Sequence, residues 1–333
     1  MITALTADLG GTKTYLQLSK IQDSSISVIK KNQYESDAFE SFESMLQLFI
    51  AEEENIDFAC IAIAGPINNV KEAQIANVTN LPWEINNLIL AQQFSIANVS
   101  FINDFAAIGH ALIQLGNEDY LILQEGTPNN TAPKAVIGAG TGLGQAILVP
   151  SEIDYTIIAT EGGHTDFAPT NQMELALYQY LSTQFEHVSY ERILSGDGIE
   201  NLFKFLLHIC QQSHHPNHRE ILSHTDPAAE ISKHAIENTN EMAVKTMDLF
   251  MAIYGSQAGN LALNCLPKNG LYIAGGIAAK NKWYLQNSQF VQRFNAKGRM
   301  QSETIQIPIR LITNPEVGLR GSLQYILKLH KTV

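Results

Sequence analysis

Two rhythms of apolar residues run along the chain. Short alternating or continuous apolar runs mark strands, and apolar positions at helical spacing mark amphipathic helices. The opening predicts three strands, over 2–8, 13–20 and 25–31. From Ala38 to Glu53, Phe39, Phe42, Met45, Leu46, Phe49 and Ile50 fall on one helical face, which predicts a helix. Asp57 to Ala64 predicts a buried strand stopped by Gly65-Pro66, and Asn86 to Phe94 a helix. Val99 to Ile102 predicts a strand ending at Asn103-Asp104, with a helix following from Phe105 to Leu115. A second series of strands begins near Tyr120, over 120–124, 134–138, 144–149 and 155–159. Helices then dominate, near 171–186, 196–212, 227–236 and 238–264. Leu271 to Ala274 is a strand opening onto Gly275-Gly276, Ile309 to Ile312 a last strand, and Glu316 to Leu329 a terminal helix.

This order is α/β, and strand, glycine turn, strand starts both halves. It predicts a smaller domain over 1–112, rejoined by the C-terminal helix in 314–333, and a larger one over 113–313. The chain has 333 residues, 45% hydrophobic and 16% charged, enough for two substantial cores. Its net charge of -12 argues against nucleic acid, whose binding relies on neutralising phosphates. A strand starting at Ile2 leaves no place for a signal peptide, and no apolar run reaches the about 20 residues of a membrane span. Cys60, Cys210 and Cys265 stand singly among apolar neighbours and read as buried thiols in a reducing, cytoplasmic compartment.

Composition changes the picture less than two glycine turns do. The first joins Ile2–Asp8 to the apolar run after Thr12 through Leu9-Gly10-Gly11-Thr12-Lys13. The second joins Ala135–Gly138 to Gly144–Val149 through Ala139-Gly140-Thr141-Gly142-Leu143. Each reads as a β-hairpin whose tip offers backbone N–H groups and a threonine hydroxyl, a concave setting suited to phosphate. Two such cradles can grip a polyphosphate, and Asp8 before the first could hold a phosphate-bound Mg²⁺ through water. Read alone, each is also an ordinary hairpin. A Walker A loop is excluded, because Gly-Lys does not occur, and a dinucleotide fingerprint fails at Leu143.

Polar residues gather where strands end. Asp104 after an apolar strand could act as a general base toward a hydroxyl, or simply cap the helix that follows. In Glu161-Gly162-Gly163-His164-Thr165-Asp166 the glycines let Glu161 and His164 converge on one small ligand, and a polyol suits a carboxylate beside an imidazole. Glu191 reads either as a further ligand or as a first-turn acidic residue of a helix. Gly275 and Gly276 could let a flat base lie against backbone, or could form a plain strand-to-helix turn. His208, His214, His215 and His218 match no zinc spacing, and Pro216 interrupts them, so that segment reads as a solvated loop.

Seven motifs in order resemble those of the ATP-dependent bacterial glucokinases, a branch of the hexokinase-like, actin-fold sugar kinases. They are Asp8-Leu-Gly-Gly-Thr-Lys13, Ala62-Ile-Ala-Gly-Pro-Ile67, Phe101-Ile-Asn-Asp-Phe105, Gly138-Ala-Gly-Thr-Gly-Leu-Gly144, Glu161-Gly-Gly-His164 with Asp166-Phe-Ala-Pro169, Glu191-Arg-Ile-Leu-Ser-Gly196 and Ile273-Ala-Gly-Gly-Ile277. The resemblance implies a two-domain actin-like ATPase (ribonuclease H-like) fold, each domain a mixed sheet with flanking helices, sugar and ATP between them. It implies transfer of phosphate from ATP, with Mg²⁺, to the 6-hydroxyl of D-glucose, in a cytoplasmic homodimer. Asp104 corresponds to the catalytic base, and Asn103, Glu161, His164 and Glu191 to the other sugar ligands. Asp8, Leu9, Gly10, Gly11 and Thr12, with Gly140, Thr141 and Gly142, correspond to the phosphate loops, and Gly275 and Gly276 to the adenosine loop. Related repressor-type kinases carry a cysteine-rich zinc loop after the Glu-x-Gly-His motif. Here no cysteine lies between Cys60 and Cys210, so no structural zinc is expected.

Two other readings stay open on sequence. One is a kinase for another hexose or an N-acetylated amino sugar, since pocket shape decides that choice. The other is a non-catalytic sugar-sensing regulator. A repressor would need a basic helix-turn-helix ahead of Ile2, and an inactive module would be expected to lack Asp104.

Overall fold

Two mixed sheets organise the chain, each with its own core. The computed structural model describes residues 1–22, 25–50, 55–152, 154–212 and 215–330. The chain divides into two compact units, Met1–Gly116 with the stretch from Asn314 on, and Asn117–Thr313.

The first unit opens with β1 (Ile2–Leu9), β2 (Lys13–Gln22) and β3 (Ser25–Glu35), three antiparallel strands joined in sequence. After α1 (Phe42–Ile50), β4 (Phe58–Ile63) adds parallel to β1. A small three-stranded sheet follows, β5 (Ile67–Val70), β6 (Ala73–Asn77) and β7 (Glu84–Asn86), then α2 (Asn87–Phe94). β8 (Asn98–Asn103) pairs parallel to β4 and leads into α3 (Asp104–Ala111). The resulting order is β3-β2-β1-β4-β8. Side chains of β1 alternate between two cores, as a strand's period of two requires. Leu5, Ala7 and Leu9 pack with Phe42, Leu46 and Phe49 of α1. Ala4 faces the other way, with Cys60, Ala62 and Ile102, onto a helix that returns from the C-terminus.

The second unit repeats the plan. β9 (Tyr120–Gln124), β10 (Lys134–Ala139), β11 (Leu143–Pro150) and β12 (Tyr155–Thr160) come first. Five helices follow, α4 (Gln172–Ser182), α5 (Gly196–Ile209), α6 (Pro216–Leu222), α7 (Pro227–Ile236) and α8 (Glu241–Cys265). Next come β13 (Leu271–Ala274), four short helices, α9 (Gly276–Lys280), α10 (Lys282–Asn287), α11 (Phe290–Asn295) and α12 (Gln301–Thr304), and β14 (Ile309–Ile312). The sheet runs β12-β11-β10-β13-β14-β9, with β10, β13 and β14 parallel. α8 is buried on most sides, so it reads apolar all round rather than on one stripe. Its Tyr254 is fully buried beside Phe250 and Phe290. The Tyr254 hydroxyl accepts the N–H of Ala139 at 3.2 Å and donates to the carbonyl of Ile137 at 3.3 Å, so it costs no orphaned polar atom at the end of β10. The last helix, α13 (Val317–His330), belongs to the first unit and packs against α3, β1 and β4.

Several expectations need correcting. The helix predicted over 38–53 begins only at Phe42, because Ser41 caps it, its hydroxyl taking the Ser44 N–H at 3.2 Å. Residues 36–38 instead form a 3₁₀ turn, Phe39 stacks edge-on against Tyr34, and 51–53 lie outside the described residues. The histidine segment is not a loop throughout. Pro216 opens α6, where its missing N–H is not needed, and His218 is buried against Phe203, while His214 lies outside the described residues. Cys60 is buried and Cys265 partly so, but Cys210 is exposed, because it stands at the end of α5 beyond the last buried turn. Among the described residues no helix is long and apolar enough to cross a membrane.

Candidate active site

In the first unit the candidate residues meet at one end of the parallel strands. Register places Leu9 opposite Ile63 and Ile63 opposite Asn103, so the carboxyl ends of β1, β4 and β8 form one row. Ligands of open α/β sheets gather at such ends. Asn103 and not Asp104 is the helix cap. Its Oδ1 accepts the N–H groups of Phe105 and Ala106, at 3.0 and 3.2 Å. Asp104 is therefore the first residue of α3, where the helix dipole favours a negative charge, and its Oδ1 accepts the Phe105 N–H at 2.9 Å.

The tip of the first hairpin lies along the same edge. Gly10 donates to the carbonyl of Lys13 at 3.1 Å. Gly11 sits against the turn after β6. A Cβ there would stand 2.5 Å from the Thr79 carbonyl, so crowding by backbone, not a left-handed conformation, excludes a side chain. Thr12 is exposed, as a phosphate donor must be. Ser36 supports this tip and carried no signal in the sequence reading. Its hydroxyl donates to the Gly10 carbonyl at 2.8 Å and its N–H to the Thr12 carbonyl at 2.8 Å. Asp8 lies under Gly318 of α13, where a Cβ would come within 2.3 Å of its carboxylate. Burial pushes the Asp8 carboxyl up to about 6.

The second unit gathers its own set. The tip Gly140-Thr141-Gly142 closes on itself, Gly140 donating to the Gly142 carbonyl at 2.8 Å, with Thr141 exposed. Gly138 lies opposite Ala274, so the glycine pair Gly275-Gly276 emerges beside this tip. Gly275 has φ 85°, and a Cβ would meet the Ala139 carbonyl at 2.3 Å, so both conformation and space demand glycine. β12 ends beside the start of β11, with Thr160 opposite Gln145, which brings Glu161 to the same edge.

Glu161, His164 and Glu191 converge there. His164 Nε2 lies 3.9 Å from Glu161 and 3.8 Å from Glu191. Glu191 does not open a helix, since α5 starts at Gly196 behind a Ser195 cap. It sits in a turn pinned to the Glu161–His164 loop by backbone bonds, Tyr190 to Thr165 at 3.1 Å and Glu191 to Gly163 at 3.0 Å. Behind it, Lys297 donates to the Ser256 carbonyl and to Asn260, at 2.8 and 2.7 Å, and Asn260 donates to the Tyr190 hydroxyl at 3.0 Å. Desolvation lowers the Lys297 ammonium to about 8. Neither Lys297 nor Asn260 belongs to a sequence motif, and only the fold reveals them. Among the described residues no group of three or more His, Cys, Asp or Glu side chains converges to hold a metal ion.

The Glucokinase family model matches residues 5–329. A glucokinase of Trichormus variabilis is 40% identical over 340 residues, covering 97% of this chain and 98% of that protein. The crystal structure of a glucokinase from an Antarctic psychrotroph superposes with a TM-score of 0.82 at 30% identity, covering 98% and 99% of the two chains. A glucokinase from Balamuthia mandrillaris, solved in complex with glucose, shares the fold with a TM-score of 0.81 at 22% identity, covering 98% and 94%. The mixed sheets with flanking helices are those of the actin-like sugar kinases, and the chain belongs to the glucokinase family.

Proposed function

We propose that the chain transfers the γ-phosphoryl group of ATP to the 6-hydroxyl of D-glucose, with Asp104 as the base. The observation that carries this reading is Asp104 itself, a carboxylate directly after a strand's carboxyl end, at the first position of α3 behind the Asn103 cap. Phosphoryl transfer asks the protein mainly for positioning and charge stabilisation. Asp104 takes the proton of the sugar hydroxyl as its oxygen bonds to the γ-phosphorus and the bond from that phosphorus to the β,γ-bridging oxygen breaks. Asn103, Glu161, His164 and Glu191 hold the remaining hydroxyls. Glycine N–H groups and the hydroxyls of Thr12 and Thr141 hold the phosphates, and Gly275-Gly276 the adenosine.

Asp8 fits a Mg²⁺ ligand. Mg²⁺ keeps much of its shell as water and phosphate oxygen and needs only one or two carboxylates. A partly buried carboxylate raised toward neutrality by burial is a donor that a cation would restore to its charged form. When bound, the ion neutralises charge on the β- and γ-phosphates. A cytoplasmic setting accompanies the proposal, because the donor is ATP.

A coupled assay across glucose, mannose, fructose and N-acetylglucosamine tests the substrate. The highest kcat/KM falls on glucose, and a higher value for any other sugar overturns the assignment. The cradles have their own test. Thr12→Val and Thr141→Val each remove one hydroxyl with little change in volume. A hydrogen bond to a charged group is worth about 1.5–3 kcal/mol, so kcat/KM for ATP falls by about one to two decades while glucose affinity holds. Unchanged ATP kinetics in both variants would mean that the nucleotide binds elsewhere.

A further inference from the structure

Glu191 serves two loops of the second unit at once. Its Oε1 lies 3.8 Å from His164 Nε2, on the side of the Glu161–His164 loop. Its Oε2 accepts the backbone N–H of Leu143 at 2.9 Å. Leu143 directly follows the Gly140-Thr141-Gly142 tip. Gly142 is pressed so closely on Glu191 that a Cβ would stand 2.5 Å from the same Oε2. The backbone around Glu191 completes the tie. Its N–H goes to Gly163, its carbonyl accepts the Ser195 hydroxyl at 2.8 Å, and Gly196 donates to the Gly140 carbonyl at 2.9 Å. A backbone N–H given to a carboxylate is a charge-assisted bond, shorter and stronger than its neutral counterpart.

We propose that Glu191 is a positioning residue for the nucleotide as well as a sugar ligand, holding the Gly140–Gly142 tip through Leu143. This rests on reading Glu191 as a ligand of the sugar and the tip as a phosphate cradle. One planar carboxylate cannot reorient one oxygen without moving the other. Sugar hydroxyls that fix Oε1 therefore fix Oε2, and with it the N–H of Leu143 and the tip. Coupling between two ligands is reciprocal, so a nucleotide that orders the tip also steadies the carboxylate for the sugar. A side chain at 142 would therefore displace the Glu191 carboxylate and not strain the hairpin, since the backbone conformation of Gly142 is an ordinary one.

Calorimetry with each ligand alone tests this. The probes are the Mg²⁺ complex of β,γ-imido-ATP with no sugar present, and glucose with no nucleotide present. Glu191→Ala should weaken the nucleotide analogue by about ten- to a hundredfold, the worth of one bond to a charged group. Glu191→Gln keeps an oxygen that can accept the Leu143 N–H, so the analogue should bind within threefold of wild type. Gly142→Ala forces the carboxylate aside and should weaken glucose about tenfold or more, although residue 142 belongs to the phosphate hairpin. If Glu191→Ala loses glucose but keeps analogue affinity, the coupling is refuted and Glu191 is a sugar ligand only. If it keeps both affinities, the reading of the sugar site fails along with the proposal. Should the alanine variant not fold, unchanged glucose affinity in Gly142→Ala overturns the coupling by itself.

Discussion

Replacing Asp104 with Asn lowers kcat with glucose and MgATP by about 10²–10⁴-fold, the usual worth of a general base, while glucose still binds. The amide keeps the size of the carboxylate and its oxygen can still take the Phe105 N–H, so the first turn of α3 survives. Asn103 continues to cap the helix. The lost charge at the helix N-terminus costs only about 0.3–1 kcal/mol of stability. Steady-state kinetics beside glucose calorimetry separates the two effects. A kcat within threefold of wild type removes Asp104 from the mechanism.

The largest effect on stability is expected at a pair that belongs to none of the motifs. Glu174 of α4 is 1% exposed and Arg293 of α11 17% exposed, and they meet at 2.5 Å. The same carboxylate accepts the N–H and hydroxyl of Thr170, at 2.7 and 2.8 Å, and the amide of Asn171 at 2.8 Å. Asn171 in turn caps α4 by taking the Glu174 N–H at 2.9 Å. Arg293→Met leaves this buried carboxylate without its cation. Breaking such a pair costs about 3–5 kcal/mol, and the three remaining hydrogen bonds place this case near the lower figure. For a unit of this size each kcal/mol is worth about 2–4 °C, so Tm falls by about 6–12 °C. Glu174→Met in the same chain restores much of the loss, because a pair of apolar residues carries no desolvation penalty. A Tm drop under 2 °C in the single variant, or no recovery in the double one, shows that the pair does not hold α4 to α11.

These two residues differ in how visible they are in the sequence. Asp104 ends an apolar strand beside an asparagine, a pattern that local chemistry explains. Both glycine hairpins were legible for the same reason, since apolar strands enclose a turn that needs little or no side chain. Glu174 and Arg293 lie 119 residues apart, and no local pattern links them. The sheet β5–β7 was missed because its strands are short and largely polar, with the burial of a layer that faces water. Its first turn runs through Lys71 with φ 57°, a conformation that glycine or asparagine would have advertised and lysine does not. Glu191 was open to misreading as a first-turn acid because Ser195, four residues on, is the actual cap. Its second partner, Leu143, becomes a neighbour only once β11 and the turn before α5 are packed together.

The return of α13 to the first unit has a consequence for how the protein is made. Asp8 lies against Gly318, and Gly321 sits so close to α3 that a Cβ would come within 1.7 Å of the Ala107 carbonyl. Lys31 of β3 also pairs with Glu316 just ahead of the helix. On the ribosome, β1 with Asp8 and β8 with the following Asp104 emerge well before the helix that packs on this unit, which follows all of Asn117–Thr313. At ~5–20 residues per second that interval is roughly ten to forty seconds. During it the α13-facing side of β1 and β4, with Ala4, Cys60 and Ala62, waits uncovered. The second unit is continuous in the chain, so none of its elements waits for a later segment. The half that holds Asp104 is thus the last to be completed, and nascent chains stalled before Val317 will expose that apolar face to chaperones and proteases.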